Sequence, residues 1–373
     1  MIKEGKPEVA KMSAIHQELK DEIQESWQVS EAAVQLFKES MPNILALVNE
    51  KFRLEKPNSD NHVILQNLDF LLDAHRHFGK TLLAAYQFRL WHSLIDEAIC
   101  YAQSVRSRGL DERYFSRMLK TWIIALHSYI RPPEVNELTQ PLAWFSSNVQ
   151  GLFQLDIQEE ILSHKASELL NLLLKNERDN AGEMISSFSQ EKNSNEALIN
   201  ELFLPILWEI GRLWRDNRIS VADEHLAVAN LRSIYQVYFR SRPSEKRRNQ
   251  EITVCCVPGE EHEVSAELLS LYLESRGWPV NFIGHSTPED EIIRMMERNT
   301  PFVLILSVIL ISHLPALVSV VQGLREHIPS LKILAGGSAL RQAKEIVREI
   351  VDGMPDSFEE CHDMLSDMVN AHA

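Results

Sequence analysis

Apolar side chains recur at helical spacing from about residue 20 to residue 150, as in Leu65, Leu68, Leu71 and Leu72, and again in Leu90, Leu94, Ile95, Ala98 and Ile99. That period turns one face of each helix inward. Ser107-Arg108-Gly109 and Arg131-Pro132-Pro133 are breaks that no helix interior accepts, so five or six helices are expected here. A second helical stretch, from about Ile157 to Ser241, is divided at Asn176 to Asp179, at Gln190 to Asn195 and at Asp216 to Arg218. Four short-linked helices of this kind predict a small antiparallel bundle. The charged segment from Arg242 to Gln250, with Pro243 near its start, reads as a linker.

Beyond the linker the period changes. Short β-rich runs at Ile252 to Val257, Val280 to Ile283, Phe302 to Ser307 and Lys332 to Ala335 alternate with helical runs at Val264 to Arg276, Pro288 to Arg298, Leu314 to His327 and Arg341 to Val351. Such alternation implies right-handed crossovers and a doubly wound parallel sheet of the Rossmann or flavodoxin type. The fold expected is therefore an all-α N-terminal region, with a globin-like helical domain over 1–152 and a four-helix bundle over 153–243, followed by an α/β domain over 250–373. A chain of 373 residues is long enough for each to bury its own core.

Charge changes the picture of partners. The formal net charge of −15 repels polyphosphate, so direct nucleic-acid binding is not expected. The cysteines, Cys100, Cys255, Cys256 and Cys361, have no metal-ligand or disulfide spacing, and no long uncharged apolar stretch or leader is evident. A soluble protein of the reducing cytoplasm fits these features, with no membrane partner.

Candidate chemistry begins at the first strand-to-helix turn, Pro258-Gly259-Glu260-Glu261-His262-Glu263-Val264-Ser265. In open parallel sheets ligands gather at the carboxyl ends of strands, which places His262 in a ligand crevice. Glu260 is spaced to accept the proton of one ring nitrogen and leave the other as a basic donor. Forty-one residues separate Ser265 from Ser307-Val308-Ile309, and twenty-six separate Ile309 from Gly336-Gly337. This register resembles the cobalamin-binding family, which reads Asp-x-His-x-x-Gly, then Ser-x-Leu, then Gly-Gly. The resemblance implies that His262 is the lower cobalt ligand, that Ser307 contacts the displaced nucleotide tail and that Gly336 and Gly337 leave room for it. Departures are Glu260 for Asp, Ser265 for Gly and Ile309 for Leu.

In the preceding bundle, Trp214 is followed ten residues later by Glu224-His225. That spacing resembles the Trp-x9-Glu-His signature of CarH/LitR-type photoreceptors, in which the bundle caps adenosylcobalamin. The likeness implies that Trp214 packs on the adenosyl group while Glu224 and His225 bind or orient it. An adenine ring suits an aromatic wall and ribose hydroxyls suit a carboxylate. Arg215 stands where that group has a His able to take the upper cobalt site, and a guanidinium cannot ligate cobalt.

The N-terminal region bears Phe70, His75, His77, Phe78, Tyr86, Phe88, Trp91, His92, Trp122, His127, Tyr129 and Trp144, with Cys100 among them. Core packing accounts for such a stripe. The sharper alternative is a second tetrapyrrole, biliverdin or haem, in the outline of the photocobilins. Taken together, the resemblance implies a light sensor rather than an enzyme, in which photolysis of adenosylcobalamin alters domain packing and association with a second copy or a regulatory partner. A corrinoid carrier in methyl transfer and a non-photochemical cobalamin-responsive regulator are the alternatives.

Overall fold

The computed structural model describes residues 16–21, 27–54, 62–156 and 162–371. It divides into two compact units, Met1–Glu159 and Glu160–Ala373. The start of the bundle expected at Ile157, and residues 1–15, lie outside the described residues.

The first unit is helical throughout. Its elements are α1 (Glu31–Arg53), α2 (His62–Gln66), α3 (Leu68–Phe88), α4 (Trp91–Ser107), α5 (Glu112–Tyr129), α6 (Glu134–Ser147) and α7 (Val149–Gln154). Five are long, and the breaks at Ser107 and before Pro132 fall where the residues demanded them. The hydroxyl of Ser30 accepts the Ala33 N–H and the carboxylate of Asp111 accepts two N–H groups of α5, satisfying donors that a helix start leaves free. Ala33, Phe37, Ile44, Val48 and Phe52 form the buried face of α1, which packs on α3, α5 and α6.

Much of the aromatic stripe lies in this core, whereas His127 and Tyr129 are exposed. Trp27 meets Trp91, Trp144 and Phe145 edge to face, and Trp122 is fully buried against Phe78. His75 is buried with both ring nitrogens engaged, Nδ1 with Asn49 Oδ1 at 2.9 Å and Nε2 with the Tyr114 hydroxyl at 2.9 Å. Burial holds it neutral, down at about 3.

The second unit opens with α8 (His164–Leu174) and α9 (Arg178–Lys192). A continuous run follows, made of α10 (Asn195–Leu198), a π-turn (Ile199–Phe203) and α11 (Leu204–Arg215), and then α12 (Val221–Arg240). Ser220 and Asp223 cap α12 reciprocally. The sheet follows, with β1 (Ile252–Cys256), α13 (Val264–Ser275), β2 (Val280–Gly284), α14 (Glu289–Arg298), β3 (Val303–Ser307), a 3-10 turn (Ile311–His313), α15 (Leu314–His327) and β4 (Lys332–Gly336). All pairings are parallel in the order β2-β1-β3-β4. Both Cys255 and Cys256 are buried, as neighbours pointing to opposite faces of a sheet covered on each side should be. One apolar core runs from Phe203 and Tyr235 in the bundle to Ile252 and Val254 in the sheet.

Two parts of the C-terminal region depart from expectation. The helix expected over 341–351 is a 3-10 turn (Ser338–Arg341) and a single short α16 (Lys344–Arg348). Asp352 accepts the Ile333 N–H and pairs with Arg325 and Lys332, drawing the chain alongside β4, where Gly353 bridges Leu334. A last helix, α17 (Phe358–Asn370), is capped by Ser357 and buries Cys361 and Leu365. The 242–250 segment has no regular structure but is pinned, Glu245 N–H to Ser275 O and Arg248 N–H to Gly277 O. Among the described residues no helix is long and apolar enough to cross a membrane.

Candidate functional site

The sheet register decides which residues meet. Cys256 pairs with Ser307 and Ser307 with Gly336, so β1, β3 and β4 end level with one another. From β1 the chain goes outward to β2 and then crosses to β3, which makes the β1–β3 boundary the point where neighbouring loops part to opposite faces. The turn after β1 carries Glu260 and His262, and the turn after β3 carries His313.

Glu260 is fully buried and its oxygens are saturated. Oε1 accepts the backbone N–H of His262 at 3.1 Å and His262 Nδ1 at 2.5 Å. Oε2 accepts the N–H groups of Ile309 at 2.9 Å and Leu310 at 3.1 Å and His313 Nδ1 at 3.0 Å. Burial alone would push this carboxyl up, but the bonds from His262 and His313 overcome it and hold Glu260 far below the usual carboxylate range. An ionised carboxylate only accepts, so each imidazole faces it with Nδ1–H. The Nε2 of His262 is thereby left with its lone pair available, on a ring that is more than half exposed. The bond to Glu260 also raises the His262 pKa above its ordinary value.

His313 escaped sequence reasoning. It lies 53 residues from Glu260 and is buried, and no local spacing links the two. Only the parallel register brings their loops together.

The other expected residues fall as follows. Ser307 is buried at the end of β3, and Ser265 is half-buried in the first turn of α13. A Cβ placed on Gly336 meets nothing within 4 Å, so that strand end opens on free space. Gly337 differs: at φ +119° its Cβ would fall 2.0 Å from the Val308 carbonyl oxygen. The chain's own backbone therefore requires this glycine. Gly337→Ala is expected to destabilise the protein by about 2 kcal/mol or more, whereas Gly336→Ala should stay within about 0.5 kcal/mol. Thermal melts of the two variants check this contrast.

On the bundle side, Trp214 ends α11 half-buried and Glu224 stands half-buried in the first turn of α12. The turn between them folds back with Asn217 at φ +55° and the Arg218 N–H on Leu213 O. Burial pushes the Glu224 carboxyl up, while His225 and His262 pull it down, so the cap residue lies within electrostatic reach of the β1 loop. His225 is exposed, with Nε2 3.3 Å from Glu224. Arg215 pairs with Asp216.

These features suit a corrin. His262 offers one imidazole nitrogen with its tautomer set from behind, Gly336 leaves open space at the strand end, and the hydroxyl of Ser312, on the turn that carries His313, is buried without a hydrogen-bond partner.

Comparison with known proteins defines the class. Residues 251–360 match the B12 binding domain, and residues 166–237 match a second B12 binding domain family. Both segments thus match families of B12 binding domains. The chain is 24% identical over 152 residues to the HTH-type transcriptional repressor CarH of Myxococcus xanthus, which is 40% of this chain and 50% of the repressor. It is 26% identical over 166 residues to CarA of the same organism, also named an HTH-type transcriptional repressor, covering 44% and 55% of the two chains. It thus spans about half the length of these curated relatives. Because both are named as transcriptional repressors, the charge-based expectation against nucleic-acid binding draws no support from them. Among solved structures, the monomethylamine corrinoid protein of Methanosarcina barkeri aligns with 54% of this chain and 96% of its own, at 11% identity and a TM-score of 0.44.

Proposed function

We propose that the chain is a cobalamin-dependent light sensor, with adenosylcobalamin held between the bundle and the sheet. The observation that carries this reading is His262, held by the buried Glu260 with Nε2 available at the strand end, facing a bundle whose Trp214 and Glu224 stand at CarH-type spacing. An alkylcobalamin supplies a cobalt–carbon bond that visible light breaks.

The chain's own residues bind and orient. With the cofactor bound, His262 would supply an imidazole nitrogen to cobalt, Glu260 would keep its tautomer, and Ser307 and Gly336 would line the space for the nucleotide tail. Trp214 covers the adenosyl group, while Glu224 and His225 contact its ribose. A change in the bound group would then alter how α11 and α12 sit on the sheet, a ligand-biased two-state element. Its output is association with a second copy or a protein partner. Arg215, a cation paired with Asp216, would not serve as a ligand to the group.

Protein loaded with adenosylcobalamin in darkness should change both its visible spectrum and its elution volume after green light. A changed spectrum with constant elution favours a regulator that reads cobalamin without light-dependent association, and unchanged traces for both would sink the light reading. In the first unit Phe78, Tyr86, Trp91, Trp122 and Trp144 pack on other aromatic rings and His75 is bonded to Asn49 and Tyr114, so a second tetrapyrrole has no support from their packing. The absorption of protein purified from cells given biliverdin tests it.

A further inference from the structure

The bundle reaches the cobalt-ligand loop by a second route, away from the cap residues. Arg232, two turns along α12 from Glu224, presents its guanidinium to two carboxylates one turn apart, Glu263 at the N-cap of α13 and Glu267 in its first turn. Its Nη1 lies 2.9 Å from Glu263 Oε1 and its Nε 2.6 Å from Glu267 Oε2. Glu267 is buried and takes two further donors from the same bundle helix, the Tyr235 hydroxyl at 2.6 Å and Gln236 Nε2 at 2.6 Å. Every side-chain hydrogen bond described for Glu267 thus comes from α12.

Glu263 is the residue that follows His262. Its other oxygen, Oε2, lies 2.9 Å from where a Cβ on Gly284 would stand, and Gly284, at φ +84°, ends β2. The same oxygen is 3.8 Å from His285 Nε2. Glu263 is therefore seated between the bundle and the end of β2, and a bulkier residue at Gly284 would expel it. On the other side of His262, Glu260 is bound to the turn after β3.

We infer that Arg232 is a positioning residue for His262: the imidazole is suspended between a sheet-side anchor, Glu260, and a bundle-side anchor, the Arg232–Glu263 pair, so that its seat under cobalt depends on where α12 stands. A planar guanidinium fork fixes two carboxylates in direction as well as distance, which an ammonium cannot do. Coupling of this kind is reciprocal, so cobalt ligation by His262 must in turn order α12 around Arg232. The inference rests on the cobalamin reading and adds a path from the lower ligand to the bundle that does not pass through the adenosyl group.

The test uses the full chain with adenosylcobalamin in darkness and compares wild type, Arg232→Met, Arg232→Lys, Glu263→Gln and Arg232→Met/Glu263→Gln. Arg232→Met is expected to lower the fraction of bound cofactor showing the base-off, His-on spectrum at least several-fold at saturating cofactor. Arg232→Lys should restore it only in part, and the double variant should lose little more than either single one. Amide hydrogen exchange of wild-type α12 should slow around Arg232 when cofactor is added, a readout that stands if Arg232→Met fails to fold. A wild-type His-on fraction in a folded Arg232→Met, or α12 exchange in wild type indifferent to the cofactor, overturns the inference. Absence of cobalamin binding by wild type overturns the cobalamin reading itself, so the two failures are distinct.

Discussion

His262→Ala is expected to abolish the base-off, His-on absorption of bound cobalamin while leaving the protein folded. The side chain is more than half exposed and projects beyond the core, so its removal opens no cavity. Loss of the imidazole leaves the corrin to keep its own base or water, and cobalamin affinity should fall on the order of ten- to a hundredfold, the scale seen when groups supporting a metal ligand are removed. Spectral titration against wild type measures both effects. In wild type the His-on fraction should rise with pH, because cobalt and a proton compete for Nε2. Because cobalt binds only the deprotonated ring, the midpoint should lie below the pKa of the unligated His262, which Glu260 raises.

Glu260→Ala should do more damage to the fold than any change at His262. The carboxylate is fully buried, and its removal strands His313 Nδ1–H and the N–H groups of Ile309 and Leu310 at the strand ends. Losing one partner from a buried charged network costs about 3–5 kcal/mol, enough to lower the melting temperature by many degrees. Glu260→Gln keeps the volume and should lose less. The sign of the pH effect follows from a carboxyl held below its unfolded value: its contribution is present above about pH 4.3, the ordinary glutamate value, and fades as pH falls below it. Acid melts should therefore be shallower in Glu260→Gln than in wild type. His262 acts oppositely, adding stability below about pH 6.5 that is lost as pH rises through its raised folded value.

The parallel sheet was legible because each strand is a short apolar run closed by a turn, and the bundle because Asn176, Asn193 and Asn217 mark its helix ends. The 341–351 helix misled because local propensity yielded to Asp352, whose bonds to β4 and to Arg325 are made only after folding. The helix at Phe358–Asn370 carried a readable signal, Ser357 three residues before Glu360 and an apolar Phe358, Cys361 and Leu365. In the site, Glu260 and His262 were legible from adjacency. His313 and Arg232 were not, since each meets the β1 loop from a segment dozens of residues away and depends on register and helix packing. Gly337 was legible as a glycine but not for its reason, the Val308 carbonyl against it.

The most direct test of His262 as the cobalt ligand is electron paramagnetic resonance of the reduced Co(II) form bound to protein made with nitrogen-15 histidine. Axial nitrogen splits each cobalt line into three when it is ordinary nitrogen and into two when it is the heavy isotope. The expected result is the two-line pattern in labelled wild type, and its loss in labelled His262→Ala. A three-line pattern unchanged by labelling would mean that the cofactor keeps its own base and that His262 is not the ligand.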